Sequence, residues 1–251
     1  MSTALLETFP APAWRPIWQD APARLPAGQR LYAIGDIHGC LDQLTELHRF
    51  IAADLAARPT ASAQLIHLGD IIDRGLDSAG CIEAILRFTA CPTVTLMGNH
   101  EDSAVAALAG HGYACNDWMA GGGRTALASW GVDSHSPRES WAAGVPAAHR
   151  AFMESLPLFH QVGPYLFIHA GLRPGLPILS QLRDDLLRIR RAFLDSEDDH
   201  GAVIVHGHTP TRDRRPEIRP NRINLDTGAV FEGGRLTCAI FEDARLGIAQ
   251  S

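Results

Sequence analysis

Residues 69–75 read Gly-Asp-Ile-Ile-Asp-Arg-Gly and follow an apolar run, residues 65–68, that predicts a short buried strand. Asp70 therefore stands where a strand gives way to a loop, which is where open α/β sheets bind their ligands. Its carboxylate has two oxygens and can bridge two cations, while Asp73 and Arg74 suit an acid–base relay and a phosphate clamp. An aspartate after an apolar strand also occurs as a turn former or a helix cap, so this segment alone leaves both interpretations open.

Four more segments share this design, in which an apolar run leads into a short loop that carries glycine and a histidine, aspartate or asparagine. The loops read Gly-Asp-Ile-His-Gly at 35–39, Gly-Asn-His-Glu at 98–101, His-Ala-Gly at 169–171 and His-Gly-His-Thr-Pro at 206–210. Glycine lets the backbone turn sharply and approach an ion or a phosphate closely. The repetition of one arrangement predicts that these loops meet at a single site.

The composition is that of an ordinary globular protein, with 46% hydrophobic and 20% charged residues over 251 positions, a length that suits one α/β domain. The net charge of −6 and the pI of about 6.0 argue against nucleic-acid binding, which usually needs a basic surface. The five cysteines are scattered and indicate free thiols rather than disulfides. The sequence has neither the pattern of a signal peptide nor an apolar run of about 20 residues that would span a membrane, so we expect a cytoplasmic protein.

Residues 1–28 contain five prolines together with Trp14 and Trp18, and the prolines exclude a regular helix. We expect an extended arm whose tryptophans pack on the domain rather than a flexible leader, because two indoles are costly to leave in water. The domain follows at residues 29–251. The irregular segment from about 103 to 160 predicts a cap inserted into this domain, which shapes access to the substrate.

Strands alternate with helices in the first hundred residues, which predicts a layered α/β fold. Apolar residues at helical spacing predict helices at 41–57, 78–88, 147–156 and 179–193. Two late strand patterns, residues 222–228 and 235–241, predict a terminal hairpin with its turn around Gly233 and Gly234.

The strand ends carry six side chains of the types that bind divalent metals, namely Asp36, His38, Asp70, Asn99, His169 and His208. Imidazole nitrogens with carboxylate and amide oxygens, and no thiolate, favour Mn, Fe or Zn over an iron–sulfur cluster or a structural cysteine zinc site. Six ligands are too many for one ion with an open position, so we predict two ions that share Asp70. One ion takes Asp36, His38 and Asp70, and the other takes Asp70, Asn99, His169 and His208. Two ions about 4 Å apart would hold a bridging water, lower its pKa and neutralise phosphoryl oxygens.

These five motifs, in this order, resemble those of the calcineurin-like metallophosphoesterase superfamily, and specifically its phosphoprotein phosphatase branch of the bacterial serine/threonine protein phosphatase type. The resemblance covers about residues 30 to 240 and implies an α/β fold in which two β-sheets form a sandwich flanked by helices. It further implies that His100 protonates the leaving oxygen and that Asp73 orients His100. Arg74 and Asn99 would bind the substrate phosphate. A second phosphate-binding arginine is expected before the last histidine, and Arg190 is our candidate among Arg183, Arg188, Arg190 and Arg191.

The function that the resemblance implies is metal-dependent hydrolysis of phosphate monoesters by a bridging hydroxide, with protein phosphoserine and phosphothreonine as the leading substrates and manganese as the expected metal. Pro210 favours this branch, because many phosphodiesterases of the superfamily have a second metal-binding histidine there. A counterpart of the C-terminal tyrosine-bearing loop of eukaryotic relatives is not recognisable. Two other enzymes therefore remain as alternatives, a symmetric dinucleoside polyphosphate hydrolase and a promiscuous small-molecule phosphatase. A non-catalytic phosphate-binding scaffold is the alternative from another class.

Three further features keep two interpretations each. Residues 121–124, Gly-Gly-Gly-Arg, suit a phosphate cradle or a loop of the cap. Asp226 is expected to fix a metal-binding histidine or a turn. A run of arginines after the last motif would either steer an anionic substrate or belong to a solvated loop; its members are Arg212, Arg214, Arg215, Arg219 and Arg222. His67 is expected to be a core histidine, and His206 is expected to be a strand-end histidine that hydrogen-bonds to the backbone rather than a metal ligand beside His208.

Overall fold

The computed structural model describes residues 15–251, so Trp14 and the first half of the predicted arm lie outside the described residues. Its strands are β1 Ile17–Asp20, β2 Gln29–Ile34, β3 Ser62–His67, β4 Thr93–Thr95, β5 Phe159–Val162, β6 Tyr165–Ile168, β7 Val203–His206, β8 Glu217–Ile218, β9 Arg222–Asn224, β10 Thr237–Glu242 and β11 Arg245–Gln250. Its helices are α1 Leu41–Ala57, α2 Ser78–Arg87, α3 Asn99–Leu108, α4 Gly112–Gly121, α5 Gly123–Ser129, α6 Trp141–Gly144, α7 Ala147–Glu154, α8 Arg183–Arg188 and α9 Arg191–Leu194, with short 3₁₀ turns at Arg138–Ser140 and Ile178–Ser180.

The first sheet has the strand order β1-β11-β10-β2-β3-β4, in which β2, β3 and β4 are parallel and β10 is antiparallel to β2. Helices α1 and α2 provide the crossover connections that these parallel strands need. Side chains alternate along β2, so Leu31 and Ala33 enter the core between the sheets, whereas Tyr32 and Ile34 pack beneath the helices. The period of two along the strand thus gives the sheet two buried faces.

The second sheet has the order β5-β6-β7-β9-β8, with β6, β7 and β9 parallel. Tyr165 and Phe167 of β6 meet Phe241 of β10 in the apolar cluster between the two sheets, and the rings of Tyr165 and Phe241 have centroids 4.6 Å apart. On the outer face of the second sheet, Leu186 of α8 and Phe193 of α9 close a further cluster. The predicted sandwich of two sheets flanked by helices is confirmed.

The five predicted loops follow the ends of β2, β3, β4, β6 and β7. Parallel strands bring their carboxyl ends to one edge of a sheet, and backbone hydrogen bonds join the loops there. The N–H of His38 donates to the carbonyl of Asp70 at 2.8 Å, and the N–H of Gly207 donates to the carbonyl of His169 at 2.8 Å. The topology therefore assembles one site from segments that are far apart in the sequence.

The predicted terminal hairpin is wrong. β9 lies in the second sheet, parallel to β7, while β10 lies in the first sheet. Residues 225–236 are long enough to cross from one sheet to the other, so neighbours in the sequence need not pair. β10 instead forms a hairpin with β11 around Asp243, whose φ of 52° is left-handed.

The single helix predicted at 179–193 is also wrong. The segment contains a 3₁₀ turn, α8 and α9, and the last two are separated at Ile189 and Arg190. Arg190 has φ −128° and ψ −108°, which no helix allows. Leu186, Ile189 and Phe193 all pack on the second sheet, and the break lets the chain follow that surface. It also separates Arg190 from the arginines on either side.

β1 is an edge strand that pairs with β11 in antiparallel register, with Trp18 opposite Gly247. The Trp18 ring packs against the helix-side core, and the guanidinium groups of Arg58 and Arg245 lie 5.3 and 4.8 Å from its centroid. A Cβ at residue 247 would stand 3.1 Å from the indole, so glycine leaves room for the ring. This part of the expected arm is thus a strand of the first sheet.

Helices α4 to α7 follow α3 and precede β5, in the region of the predicted cap. Trp118 of α4 and Trp141 of α6 are both buried, with ring centroids 6.1 Å apart, and they belong to the same apolar cluster as α1 and α2. The cap helices therefore pack directly on the domain. Among the described residues, no helix is both long and apolar enough to cross a membrane.

Candidate metal centre

Several non-glycine residues of the predicted site have left-handed backbone conformations, which L-residues disfavour. The φ angles are 47° at His38, 50° at Asp70, 74° at Asp73, 65° at Arg74 and 66° at His208. Each such residue costs on the order of 1 kcal/mol and persists only where its surroundings hold it. Strain of this kind concentrates at functional sites, and here it falls on three of the five motif loops.

The carboxylate of Glu101 holds the central loop in shape. One oxygen accepts the N–H groups of Ile71 and Ile72 at 2.8 and 3.1 Å, and the other accepts those of Asp70 and Gly98 at 2.9 and 3.0 Å. Glu101 is fully buried in the first turn of α3. A carboxylate with four backbone donors is well satisfied in the interior, so it fixes the turn that presents Asp70.

Two histidines are held in the tautomer that a metal ligand needs. The Nδ1–H of His38 donates to the carbonyl of Ile72 at 2.9 Å, and the Nδ1–H of His169 donates to the carbonyl of Leu68 at 2.9 Å. Their Nε2 atoms point inward, 3.6 Å from Oδ2 and 3.4 Å from Oδ1 of Asp70, respectively. Such outer hydrogen bonds orient the imidazoles that ligate metals in proteins. Asp70 thus lies between the two rings with one oxygen towards each.

His208 has a buried nitrogen that is available to bind a metal ion. Its Nε2 is buried and has no hydrogen-bond partner in the part of the chain that the structure describes, and burial lowers the pKa of the ring to about 2. The ligand atoms of Asp70, His169 and His208 lie within 4.8 Å of one another, and Oδ1 of Asn99 lies 3.1 Å from Nε2 of His169. A neutral imidazole with a free lone pair, beside a carboxylate and an amide oxygen, fits a divalent cation.

The electrostatics of this group also favour a cation. Burial lowers the pKa of His169, but the carboxylates of Asp70 and Asp36 outweigh that effect and raise it to about 10. Burial raises the pKa of Asp70, yet the surrounding imidazoles bring it well below its ordinary value. Positive charge is therefore favoured between these side chains, and a metal ion bound to neutral histidines would supply it.

A second group of ligand atoms within 4.8 Å joins Asp70 to His38 and His100. Asp36, which was predicted to ligate on this side, belongs to neither group. Both of its oxygens accept the N–H of His208, at 3.1 and 3.0 Å, and it lies beside the buried carboxylate of Asp226. Burial, and then the charge of Asp226, raise the pKa of Asp36 well above its ordinary value. Asp226 also accepts the N–H of Gly228 at 3.0 Å, so it fixes a turn beside Asp36.

His100 and Asp73 form a buried pair. The Nδ1–H of His100 donates to Oδ2 of Asp73 at 2.6 Å, and Nε2 of the same ring lies 3.9 Å from Oδ2 of Asp70. Asp73 is held in place by the indole N–H of Trp118, 3.0 Å from both oxygens, while its own N–H donates to Ser78 at 2.9 Å. Burial lowers the pKa of His100, but the Asp70 and Asp73 carboxylates outweigh it and raise the pKa. The ring can therefore carry a proton on Nε2 at the centre of the site.

Arg74 lies at the mouth of the site. Its Nη1 is 2.8 Å from Nε2 of His38, and its Nε donates to the carbonyl of Gly121 at 3.4 Å. The glycines at 121–123 therefore do not form a long loop of the cap, and they do not follow a strand as a phosphate-binding loop would. They form the junction of α4 and α5, where Gly122 has φ 119° and a Cβ would stand 2.9 Å from Arg74.

Four arginines compete for the second phosphate-binding position. Arg183 and Arg188 both form ion pairs with Asp102 at 2.8 Å. Arg190 instead donates to the hydroxyl of Thr209 at 3.2 Å, directly beside His208, and no carboxylate lies within 4.0 Å of it among residues 15–251. Arg191 is the exposed first residue of α9. Of the other three, Arg190 is the one that contacts the residue next to His208.

Two residues with a clear place in the site escaped the sequence analysis. Glu101 stands in the motif Gly-Asn-His-Glu, three residues after the helix cap Gly98, and that capping spacing is a readable signal. Trp118 sits in a cap helix, and no local pattern indicates that its indole reaches Asp73. Contacts between distant segments of this kind depend on the tertiary fold.

The chain matches the calcineurin-like phosphoesterase family over residues 29–241. The serine/threonine-protein phosphatase 1 of Salmonella typhimurium is 31% identical over 230 residues, which cover 84% of this chain and 91% of that protein. The asymmetrical bis(5'-nucleosyl)-tetraphosphatase PrpE of Bacillus cereus (strain ATCC 10987) is 28% identical over 228 residues, with coverage of 81% and 87%.

Solved structures agree on the fold. A candidate diadenosine tetraphosphatase has a TM-score of 0.61 at 20% identity and covers 90% of this chain and 96% of its own. A cold-active protein tyrosine phosphatase has a TM-score of 0.59 at 16% identity, with coverage of 90% and 79%. Similarity at these identities concerns the fold alone, whereas the family match spans most of the chain. The chain belongs to the calcineurin-like phosphoesterase family.

Proposed function

We propose that this protein is a metal-dependent phosphatase that hydrolyses phosphate monoesters, with protein phosphoserine and phosphothreonine as the leading substrates. The observation that carries the proposal is the position of Asp70 between two groups of imidazoles. One group includes Nε2 of His208, which has no hydrogen-bond partner among residues 15–251. The similarity to the Salmonella serine/threonine-protein phosphatase 1 supports it. Manganese is the proposed metal and the cytoplasm the proposed location.

The proposed ligands of two divalent ions are the six side chains at the strand ends. Asp70 is shared, because its two oxygens face different imidazoles. Asp36 and His38 complete one set, and the other set consists of Asp70, Asn99, His169 and His208. When bound, such a pair of ions supplies a water of lowered pKa and positive charge beside the phosphoryl oxygens.

The side chains of the protein then bind and orient the substrate. Arg74 and Arg190 stand on two sides of the centre, at His38 and at Thr209, and their guanidinium groups match phosphate oxygens bidentately. Asn99 offers its amide to the same phosphate. With the phosphate held from both sides, the ester oxygen of the substrate is directed towards His100.

His100 is the proposed general acid. Its Nε2 proton would pass to the alkoxide of serine or threonine as the ester bond breaks, because an alkoxide is too basic to leave unprotonated. Asp73 fixes the ring through Nδ1 at 2.6 Å and favours the protonated imidazole. Positive charge near Asp70 cancels the contribution of that carboxylate, so Asp73 is the group that keeps the acid charged.

Phosphate release from a phosphothreonine peptide tests the proposal. Metal-stripped protein should be inactive, and added Mn²⁺ should restore turnover in the wild type but not in an Asp70→Asn variant. Asp77→Asn is the matched control, since this aspartate lies in the same segment but caps helix α2. In ¹⁸O-labelled water the label should enter the released phosphate. Label retained on the protein, or turnover by Asp70→Asn equal to the control, would overturn the mechanism.

Hydrolysis of dinucleoside polyphosphates is the second candidate. The Bacillus cereus relative named as an asymmetrical bis(5'-nucleosyl)-tetraphosphatase favours it, whereas the alternative that the family resemblance implied is a symmetric hydrolase. Turnover of diadenosine tetraphosphate beside that of the phosphothreonine peptide separates the two functions, and the nucleotide products distinguish symmetric from asymmetric cleavage. A clear preference for the nucleotide would replace the first candidate by the second.

A further inference from the structure

A second cavity of about 950 Å³ opens beside the candidate metal centre, on the side of Arg190 and Thr209. It lies between the segment that begins α9 and the loop that follows the last motif. Its lining is strongly cationic, with six arginines and three carboxylates in a protein whose net charge is −6. The arginines are Arg190, Arg191, Arg212, Arg215, Arg219 and Arg222, and the acids are Asp195, Asp213 and Glu217.

The acids do not neutralise this lining. Glu217 is committed to Arg219 and Arg222, each at 2.8 Å. Asp213 accepts the backbone N–H of Arg215 at 3.1 Å. The other four guanidinium groups of the lining have no carboxylate within 4.0 Å in the described part of the chain: those of Arg190, Arg191, Arg212 and Arg215. Arginines that gather around one cavity without acidic partners repel one another unless an anion joins them.

Two residues that line the cavity have buried polar atoms without hydrogen-bond partners in the described part of the chain. Arg222 is almost fully buried, and although its Nη1 pairs with Glu217 and its Nη2 donates to the carbonyl of Leu194, its Nε has no partner within the described residues. The buried hydroxyl of Thr211 is unpartnered in the same sense. Both residues line the cavity. The residues of the cavity wall thus carry hydrogen-bonding capacity that the described side chains leave unused.

The arginines that follow the last motif have two different environments. Arg212, Arg215, Arg219 and Arg222 line the cavity, whereas the guanidinium of Arg214 stacks over the Phe231 ring, 5.1 Å from its centroid. The contact between Arg190 and Thr209 joins the cavity to the metal centre, because Thr209 directly follows His208. A substrate whose phosphate lies at the centre can thus extend into the cavity.

We propose that this cavity, which we term the arginine cleft, binds a second phosphate group of the substrate, beyond the one that is hydrolysed. The proposal rests on the proposed phosphatase function and narrows its substrates to compounds with more than one phosphate. Arginine is the side chain that pairs best with phosphate oxygens, and besides Arg190 the cleft offers three that are not committed to acids, Arg191, Arg212 and Arg215. The second phosphate is supplied either by another phosphorylated residue of a peptide or by the polyphosphate chain of a nucleotide.

Steady-state kinetics of a double variant, R212Q/R215Q, tests the cleft against a matched control, R87Q/R138Q. Both pairs are exposed arginines and both remove two charges, but Arg87 and Arg138 lie outside the cleft. The substrates are p-nitrophenyl phosphate, a phosphothreonine peptide with one or two phosphates, and diadenosine tetraphosphate. We expect R212Q/R215Q to lose about tenfold in kcat/KM with a substrate that carries a second phosphate and to keep wild-type activity with p-nitrophenyl phosphate.

The pattern of losses identifies the source of the second phosphate. A loss confined to the doubly phosphorylated peptide assigns the cleft to phosphoproteins, and a loss confined to diadenosine tetraphosphate assigns it to nucleotides. Equal losses with every substrate, equal losses in the control, or no loss at all would overturn the proposal. Binding of inorganic tripolyphosphate to the metal-stripped proteins, measured by calorimetry, needs no turnover. If wild type and R212Q/R215Q bound it equally, the cleft would be refuted even in a protein without phosphatase activity.

Discussion

The indole N–H of Trp118 lies 3.0 Å from both carboxylate oxygens of Asp73. Trp118 belongs to a cap helix, and Asp73 belongs to the loop after β3, so the cap contributes a hydrogen bond to the pair that orients His100. A carboxylate that accepts from both an indole and an imidazole has little freedom to rotate. The cap region therefore supplies a hydrogen bond that fixes the carboxylate beside the proposed acid.

Replacing Trp118 by phenylalanine should loosen this arrangement without emptying the core. We expect kcat with a phosphothreonine peptide to fall about tenfold, because Asp73 then orients His100 less well. Trp141→Phe is the matched control: Trp141 is equally buried, packs against Trp118, and its indole nitrogen has no partner in the described chain. Equal kcat values in the two variants would show that the indole of Trp118 only fills space.

Replacing His100 by asparagine tests whether His100 acts as the general acid or as a metal ligand. Protonation matters for a threonine alkoxide but hardly for nitrophenolate, so kcat should fall about a hundredfold or more with the phosphothreonine peptide and far less with p-nitrophenyl phosphate. The variant should still bind two equivalents of Mn²⁺, measured by elemental analysis after dialysis. His100 belongs to one of the candidate metal groups, and loss of an ion in His100→Asn would make it a ligand instead of the acid.

Replacing Glu101 by glutamine should disturb the loop that presents Asp70. Glutamine replaces one of the two carboxylate oxygens by an NH2 group, which cannot accept from the two backbone N–H groups that it faces, so the free energy of unfolding should fall by about 2–4 kcal/mol. Urea unfolding of the metal-stripped protein measures this change. Glu154→Gln, at an exposed position that ends α7, is the control and should leave the unfolding free energy unchanged. A Glu101→Gln protein as stable as that control would mean that the four hydrogen bonds contribute nothing.

The positions of Asp70, His38 and His208 were predictable because each follows an apolar strand in a loop with glycine. Parallel strands place such loops at one edge, so local patterns and topology together bring these side chains close. The contact of Trp118 with Asp73 joins two elements with no common pattern. The partner of Asp36 was equally unpredictable, since its orientation towards the His208 N–H depends on the packing of two sheets.

The errors in strand pairing have a similar origin. β9 has only three residues, and so short a strand does not show from its own sequence which sheet it joins. β10 is long and apolar, but its antiparallel partner β11 follows it after a two-residue turn. Because no strand is predicted at residues 245–250, β9 is the nearest predicted strand to β10 and is paired with it in the prediction. Pairing across a crossing loop depends on tertiary contacts that no local pattern records.

Stability should depend on pH through a buried pair of histidines away from the metal centre. Nε2 of His48 lies 3.0 Å from Nε2 of His67, whose Nδ1 is 3.1 Å from the hydroxyl of Thr95. Burial lowers the pKa of His48 to about 4, and burial followed by the charge of His48 lowers the pKa of His67. The unfolded chain, with a histidine pKa of about 6.5, therefore binds protons that the folded protein does not.

The free energy of unfolding should thus decrease as the pH falls from about 6.5 towards 4, with a slope of up to about 1.4 kcal/mol per pH unit for each histidine. Urea unfolding at pH 7.5 and 5.0, on metal-stripped protein, measures it. A double variant with His48→Gln and His67→Gln has no titrating pair and should lose less stability between the two pH values. An identical loss in wild type and double variant would exclude the pair as the source.

Substitutions of Asp36 and Asp226 test the position of the ion that we assign to Asp36, His38 and Asp70. Asp36 accepts the N–H of His208 and adjoins Asp226, so either carboxylate is close to the centre, and we expect Asp36 to ligate and Asp226 to support it. Asp36→Asn should retain about one equivalent of Mn²⁺, because one ion loses a charged ligand. Asp226→Asn should retain both ions with an affinity about 10–100-fold lower, as when an outer partner is removed. Elemental analysis and metal titration of both variants measure this. If Asp36→Asn kept both ions and Asp226→Asn lost one, Asp226 would be the ligand and Asp36 its support. The ion assigned to Asp36 and His38 would then lie nearer the end of β9, which Asp226 follows, than the end of β2.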